Sequence, residues 1–168
     1  KTDAGYDSVL SAAEKIAALK PSFISVTYGA GGGTSKNTVS IASHIKDDFG
    51  VTSLAHLTCV SSTREEVHQV IDKLKEKNID NILALRGDIP KAFPLPNQYR
   101  YACELIEDIK QQGDFCIGAA CYPEGHVETE HKKDDISNLK TKVDCGVDFL
   151  TTQMFFDNNI FYNFLYRI

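Results

Sequence analysis

Short apolar runs recur along the chain at intervals of about thirty residues, the size of one strand-plus-helix unit. Most of them lack the strict alternation of apolar and polar positions that marks a half-exposed strand. Continuous runs of this kind are typical of parallel strands that are covered on both faces. The pattern therefore predicts five buried parallel strands, at residues 23–28, 54–58, 82–85, 116–120 and 149–153.

Segments with helical periodicity fill the intervals between these strands. The predicted helices lie near residues 7–19, 35–48, 98–112 and 132–145, and two more begin at Thr63 and near Asn158. Thr63 and Glu66 have the spacing of a capping box, in which each side chain satisfies a free backbone amide of the other residue. Thr34 is the expected N-cap of the second helix, and Gly146 the residue that ends the fifth.

The first predicted helix places five apolar residues on a single face, which we expect to be buried. They are Val9, Leu10, Ala13, Ile16 and Ala17. Alternation of strands and helices with right-handed crossovers leaves two architectures, an open doubly wound sheet and a (β/α)8 barrel. A whole barrel has about 250 residues, and this chain of 168 residues has room for about five of the eight units. We expect an α/β fold that is an incomplete TIM barrel.

Composition and charge restrict the classes of partner. The net charge of −5 argues against binding to the phosphates of a nucleic acid. No stretch approaches the ~20 apolar residues of a membrane span, and no signal peptide opens the chain. The 5 cysteines contain no C-x-x-C pair and are odd in number, which argues against a disulfide framework or a zinc site. We expect a cytoplasmic protein whose cysteines are small core residues.

Polar and ionisable residues cluster where the predicted strands end, whereas the segments that precede the strands have the composition of ordinary connecting loops. In a barrel, the active site is built from the carboxyl ends of several strands at once. This asymmetry favours the barrel and predicts a functional site at that edge of the sheet. The residues concerned are Thr27, Tyr28, His56, Thr58, Arg86, Asp88, Tyr122, Glu124, His126 and Gln153.

Each of these signals also has a structural explanation. Arg86 and Asp88 are close enough in sequence to form an ion pair within a loop. His56 lies within an apolar strand, where a lone histidine is more often a hydrogen-bonded core residue. The glycine-rich segment 29–33 has the composition of either a phosphate cradle or a flexible loop, and it matches no dinucleotide or Walker motif. Asp135, Asn138 and Lys142 share one face of the fifth helix, and a solvated charged face is the simpler interpretation.

Several of these segments together resemble one enzyme family. In chain order they are residues 26–30 (VTYGA), 56–59 (HLTC), 85–90 (LRGDIP), 120–126 (ACYPEGH) and 153–157 (QMFFD). Their sequences, order and spacing are similar to those of methylenetetrahydrofolate reductase, and they cover almost the whole chain. The resemblance implies a (β/α)8 barrel that binds FAD, accepts a hydride from NAD(P)H and passes it to 5,10-methylenetetrahydrofolate, in one-carbon and methionine metabolism.

The resemblance also implies roles for individual residues. The expected FAD contacts are Thr27, His56, Arg86, Gly87, Asp88, Tyr101, Ala102, Ala120, Tyr122, His126, Asp135, Asn138 and Lys142. Asp88 would lie near both the flavin and the folate, where its negative charge stabilises a cationic iminium form of the substrate. Gln153 would bind the pterin. These two residues are the expected catalytic and substrate-binding residues, and no metal is expected.

The resemblance leaves some elements of the family outside this sequence. The family's first strand carries a Glu that acts as general acid, and that strand and the last two strands of the barrel are not found between residues 1 and 168. We therefore expect residues 1–168 to be part of the FAD-binding catalytic domain and to have no folate reductase activity alone. The sequence leaves open the choice of NADH or NADPH and whether the protein is a homo-oligomer.

Two alternative functions also remain open at this point. One is a barrel lyase or aldolase that uses Arg86 to bind a phosphate or carboxylate substrate, although no Schiff-base lysine is evident at a strand end. The other is a non-catalytic module that holds a flavin.

Overall fold

The architecture follows from a computed structural model of the chain, which describes residues 3–28, 35–89, 96–129 and 131–168. Strands and helices alternate from the first helix to the last. In chain order they are α1 (Asp3–Ala17), β1 (Ile24–Val26), α2 (Ser35–Asp47), β2 (Ser53–Thr58), α3 (Arg64–Glu76), β3 (Asn81–Leu85), α4 (Ala102–Gln112), β4 (Cys116–Cys121), α5 (Lys132–Asp144), β5 (Phe149–Thr152) and α6 (Asn158–Arg167). All five predicted strands are confirmed.

The five strands form one parallel sheet in the order β1-β2-β3-β4-β5. The register pairs Val26 with Ala55, Leu57 with Ala84, and Ala119 with Leu150. A doubly wound sheet reverses its strand order part-way, whereas a barrel adds each new strand beside the preceding one. The sequential order therefore confirms the prediction of an incomplete (β/α)8 barrel.

The core lies between the sheet and the helices packed on it. Leu57, Ile82 and Ile117, on three neighbouring strands, have no solvent exposure. Helix α3 buries the apolar stripe of its sequence against this sheet, with Leu74 only 1% exposed. Its predicted capping box is confirmed, because the Thr63 amide donates to the Glu66 carboxylate at 2.8 Å and the Thr63 hydroxyl accepts from the Glu66 amide at 3.2 Å.

Some sequence-based expectations about the helices are wrong. On α1, Ala13 is buried, but Val9 and Ile16 are 46% and 47% exposed. The reason is that α1 packs mainly on α2, where the Tyr6 hydroxyl meets that of Ser40 at 2.6 Å, so only part of its apolar surface is covered. Helix α4 begins at Ala102 rather than at residue 98. Gly146 does end α5 with a positive φ of 107°.

The cysteines are only partly the core residues that we expected. Cys59 and Cys121 are buried, Cys103 and Cys145 are half-buried, and Cys116 is exposed. Cys116 opens β4, and the strand enters the core only at the next residue, so the thiol stays at the rim. All five are free thiols.

The longest helix of the described segments is α1, with 15 residues. None of the helices in these segments is both long enough and apolar enough to cross a membrane.

Gly118 on β4 is required by the close approach of Phe149 on β5. A Cβ atom at position 118 would lie 2.3 Å from Cζ and 2.5 Å from Cε2 of the Phe149 ring. We expect Gly118→Ala to lower the free energy of unfolding by about 1–3 kcal/mol, because the ring has to move out of its packing position. Urea denaturation measures this loss. Combining the change with Phe149→Leu should recover part of it, and an undiminished loss in the double variant would contradict the explanation.

Candidate active site

The carboxyl ends of the parallel strands lie along one edge of the sheet, and the predicted site residues of three strands follow there directly. Arg86, Gly87 and Asp88 come after β3, Tyr122 after β4, and Gln153 after β5. The Gln153 amide donates to the Cys121 carbonyl at 2.8 Å, which continues the pairing of β4 and β5 by one residue. The sheet therefore brings these residues to one face of the molecule.

Gly87 holds the end of β3 close to the end of β2. Its φ is +85°, and a Cβ atom there would lie 3.0 Å from Cβ of Thr58. The carbonyl of Arg86 accepts hydrogen bonds from the amides of Cys59 and Val60, at 3.2 and 2.9 Å. The positive φ and the close approach of Thr58 together favour glycine at position 87, and the hydrogen bonds fix the backbone from which the Arg86 side chain projects.

Arg86 forms a bidentate ion pair with Glu128, which lies in the loop after β4. Nη1 donates to Oε2 at 2.6 Å and Nη2 to Oε1 at 2.7 Å. The hydrogen bond to Glu128 raises the pKa of Arg86 and lowers the pKa of Glu128. The ion pair that the sequence suggested between Arg86 and Asp88 is wrong, since Asp88 is exposed and the guanidinium is bound to Glu128.

Sequence reasoning missed Glu128. The available signal was topological, because β3 and β4 are neighbours, so the loops after these two strands face each other. A carboxylate two residues beyond His126 is thereby within reach of an arginine at the end of β3. No local motif marks this pairing, as the two residues are 42 positions apart.

Tyr122 and His126 form an aromatic wall beside Gln153. Their rings are perpendicular, with centroids 4.7 Å apart. Together with Gln153 and the 72% exposed Met154, they line a cavity of about 240 Å³. Burial raises the pKa of Tyr122, so its phenol keeps its proton at neutral pH. Nδ1 of His126 accepts a hydrogen bond from the Glu128 amide at 3.2 Å, which fixes the ring relative to the loop.

Helix α5 directs a lysine toward the same end of the sheet. Nζ of Lys142 donates to the Ala120 carbonyl of β4 at 2.8 Å. Burial lowers the pKa of Lys142, while the nearby carboxylate of Asp135 opposes this effect. The expectation of a solvated charged face is therefore wrong for Lys142 and for the half-buried Asp135, although Asn138 is exposed.

Other predicted site residues lie on the first strands and on α4. Thr27 is exposed directly after β1, where its carbonyl accepts from the Thr38 hydroxyl at 3.1 Å. Tyr101, 62% exposed, precedes α4, and Ala102 is its buried first residue. The predictions about the glycine-rich segment 29–33 and about Thr34 as an N-cap lie outside the described residues.

His56 is half-buried within β2, and burial lowers its pKa from the ordinary value. The folded protein therefore resists protonation of this ring more than the unfolded chain does. Since the unfolded state then binds the extra proton, stability falls as the pH drops from His56's ordinary pKa through its lowered value.

Accordingly, His56→Gln should reduce the loss of unfolding free energy between about pH 8 and pH 5, the range in which histidines titrate. Urea denaturation at several pH values measures the slope. The exposed His131 supplies the matched control, His131→Gln. An unchanged slope in the His56 variant would contradict the assignment.

Comparison with known proteins identifies the family. The family model described as methylenetetrahydrofolate reductase matches residues 1–168. The chain belongs to the methylenetetrahydrofolate reductase family. The 5,10-methylenetetrahydrofolate reductase of Pectobacterium carotovorum subsp. carotovorum is 40% identical over 151 residues, covering 90% of this chain and 50% of that protein. The Zea mays protein named methylenetetrahydrofolate reductase (NADH) 1 is 34% identical, covering 98% of this chain and 30% of its own.

The chain thus spans about half the length, or less, of the curated reductases that it matches. Solved structures of other proteins share the fold. Oxaloacetate acetylhydrolase matches with a TM-score of 0.65 at 14% identity, covering 93% of this chain and 59% of that one. A 2,3-dimethylmalate lyase matches with a TM-score of 0.60 at 10% identity, covering 94% and 67%. At such low identity these likenesses concern the fold alone.

Proposed function

We propose that the full-length protein reduces 5,10-methylenetetrahydrofolate to 5-methyltetrahydrofolate, with FAD as cofactor and NAD(P)H as electron donor. The match of the family model over residues 1–168 carries this proposal. The grouping of Arg86, Asp88, Tyr122 and Gln153 at one edge of the sheet supports it, because barrel enzymes build their active sites there. The proposal places the protein in the cytoplasm and in one-carbon metabolism.

The residues present at this edge fit a flavin dinucleotide. Arg86 and Lys142 supply positive charge suited to a pyrophosphate. Tyr122 and His126 offer an aromatic surface beside the cavity. In this proposal Thr27, His56, Tyr101, Ala102, Ala120, Asp135 and Asn138 complete the binding site. Bound FAD would supply hydride transfer between the two substrates.

Two residues of the chain act on the folate in this proposal. The carboxylate of Asp88 lies at an exposed position near Arg86 and Tyr122, and its charge would stabilise positive charge developing on the substrate. Gln153 is exposed at the cavity and offers both an amide donor and a carbonyl acceptor, which suits the polar edge of a pterin. Tyr122, a third residue at this edge, keeps its phenol protonated at neutral pH and so remains a hydrogen-bond donor.

Residues 1–168 would then form part of the FAD-binding catalytic barrel, whose remaining strands and general acid belong to the rest of the polypeptide. In this proposal, the edge formed by the carboxyl ends of the strands binds the flavin, and the complete reaction requires the whole protein. The name of the Zea mays relative includes NADH, so NADH is the first electron donor to test.

An anaerobic visible spectrum of the full-length protein tests the proposal. We expect a yellow protein that bleaches on addition of NADH or NADPH and regains its colour on addition of methylenetetrahydrofolate. A colourless protein that takes up no added FAD would contradict the flavin assignment. A protein that bleaches but does not respond to the folate would contradict the substrate assignment.

A further inference from the structure

The bidentate edge of Arg86 is already occupied by a carboxylate of the same chain. The two parallel N–H groups of its guanidinium both bind Glu128, while Nε points to the Gly87 carbonyl at 3.4 Å. A phosphate uses the same paired N–H groups of an arginine as a carboxylate does. An oxyanion that approaches this edge of Arg86 therefore has to replace Glu128.

The two partners differ in their exposure to water. The side chain of Arg86 is 21% exposed, whereas that of Glu128 is 53% exposed. Releasing Glu128 returns an already solvated carboxylate to water, but it leaves the more buried arginine side chain without its counter-ion. The half-buried cation thus favours a second anion in place of the first.

Local hydrogen bonds shape the loop that carries Glu128, and the ion pair joins this loop to Arg86. Gly125 binds back to Tyr122, Thr129 to His126, and the amide of Glu128 to the His126 ring. The two hydrogen bonds from Arg86 to Glu128 link this loop to the end of β3. Gly125 has a φ of +97°, a left-handed conformation that favours glycine in this turn.

We propose that Glu128 is a resident carboxylate that occupies the anion-binding edge of Arg86 and is exchanged for a phosphate group of the incoming ligand. Naming that ligand as FAD rests on the proposed function, but the exchange itself does not. Glu128 then sets the affinity of the site for anions, because a ligand binds only to the fraction of molecules in which the pair is open. A neutral ligand does not compete with Glu128 and is not affected by it.

Inorganic pyrophosphate tests the exchange directly, by calorimetric titration of the flavin-free, full-length protein at constant ionic strength. We expect Glu128→Gln to bind pyrophosphate about three- to tenfold more tightly than the wild type. The matched control is Glu76→Gln, which removes the same charge from an exposed residue at the far end of α3 and should leave the affinity unchanged. Arg86→Leu should remove the gain when it is combined with Glu128→Gln.

A comparison of FAD with riboflavin tests whether the effect of Glu128 depends on the phosphate groups of the ligand. FAD should bind Glu128→Gln more tightly than the wild type, whereas riboflavin, which lacks phosphate, should bind both equally. Pyrophosphate affinity that is equal or weaker in Glu128→Gln, or absent from both proteins, would overturn the exchange. Absence of flavin binding would overturn the reductase proposal instead, while the pyrophosphate comparison would still decide the role of Glu128.

Discussion

Replacing Asp88 by asparagine is expected to lower the rate of methylenetetrahydrofolate reduction about 100- to 1,000-fold, the usual effect of removing one electrostatic contact to a transition state. Asparagine has nearly the shape of aspartate but no charge to stabilise a cationic iminium. Reduction of the bound flavin by NAD(P)H does not generate that cation, so its rate should change much less. Stopped-flow absorbance of the flavin measures the two half-reactions separately in the full-length protein.

Two further variants make the result specific to the charge at this position. Asp88→Glu keeps the charge and should retain more activity than Asp88→Asn. Asp114→Asn removes an exposed carboxylate in the connection between α4 and β4, at the opposite edge of the sheet, and should leave both rates unchanged. Equal slowing of both half-reactions by Asp88→Asn would argue against a role for Asp88 in stabilising the folate.

Replacing Asp108 by alanine is expected to lower the free energy of unfolding by about 1–3 kcal/mol, because it leaves the buried Tyr99 hydroxyl without an acceptor. Asp108 on α4 is 7% exposed and accepts from the Tyr99 hydroxyl at 2.5 Å. It also accepts from Nη1 of Arg64 on α3 at 2.6 Å, and this guanidinium lies 4.8 Å from the centre of the Tyr99 ring. The carboxylate thus joins α3 to α4.

A double-mutant cycle with Tyr99→Phe checks this explanation. The Tyr99 hydroxyl belongs to a residue only 2% exposed, and burial together with Asp108 raises its pKa, so it remains a donor at every ordinary pH. We expect the double variant to lose less stability than the sum of the two single variants, as measured by urea denaturation. Strictly additive losses would show that Tyr99 and Asp108 act independently. His68, whose Nε2 lies 3.5 Å from Asp108, is unchanged in all variants of the cycle.

The strands and most helices could be predicted because their signals are local. The run Asn81–Leu85 is apolar enough to be recognised alone, and the capping box at Thr63 involves residues three positions apart. The exposed face of α1 could not be predicted, since Val9 and Ile16 repeat as regularly as buried residues do. Their exposure depends on which elements stand beside α1, and periodicity carries no information about neighbours.

The site shows the same division between local and distant information. Positions of polar residues at the strand ends followed from the strand pattern, so Arg86, Tyr122 and Gln153 were found to share one edge. Their partners did not follow, because Arg86 meets a glutamate 42 residues away and Lys142 a carbonyl 22 residues away. The resemblance to the family supplied the expected ligand roles, which remain predictions for the binding experiments.

The sequential order of the strands has a consequence for how the chain acquires its structure during synthesis. In the described sheet, each of β2 to β5 pairs with the strand made immediately before it, so these four pairings do not have to wait for a distant part of the polypeptide to leave the ribosome. A pairing such as that of Ile24 with Ser53 closes a loop of about thirty residues, which costs less conformational entropy than pairing with a strand further along the chain. A nascent chain of this protein can therefore extend its sheet one strand at a time, in the direction of translation.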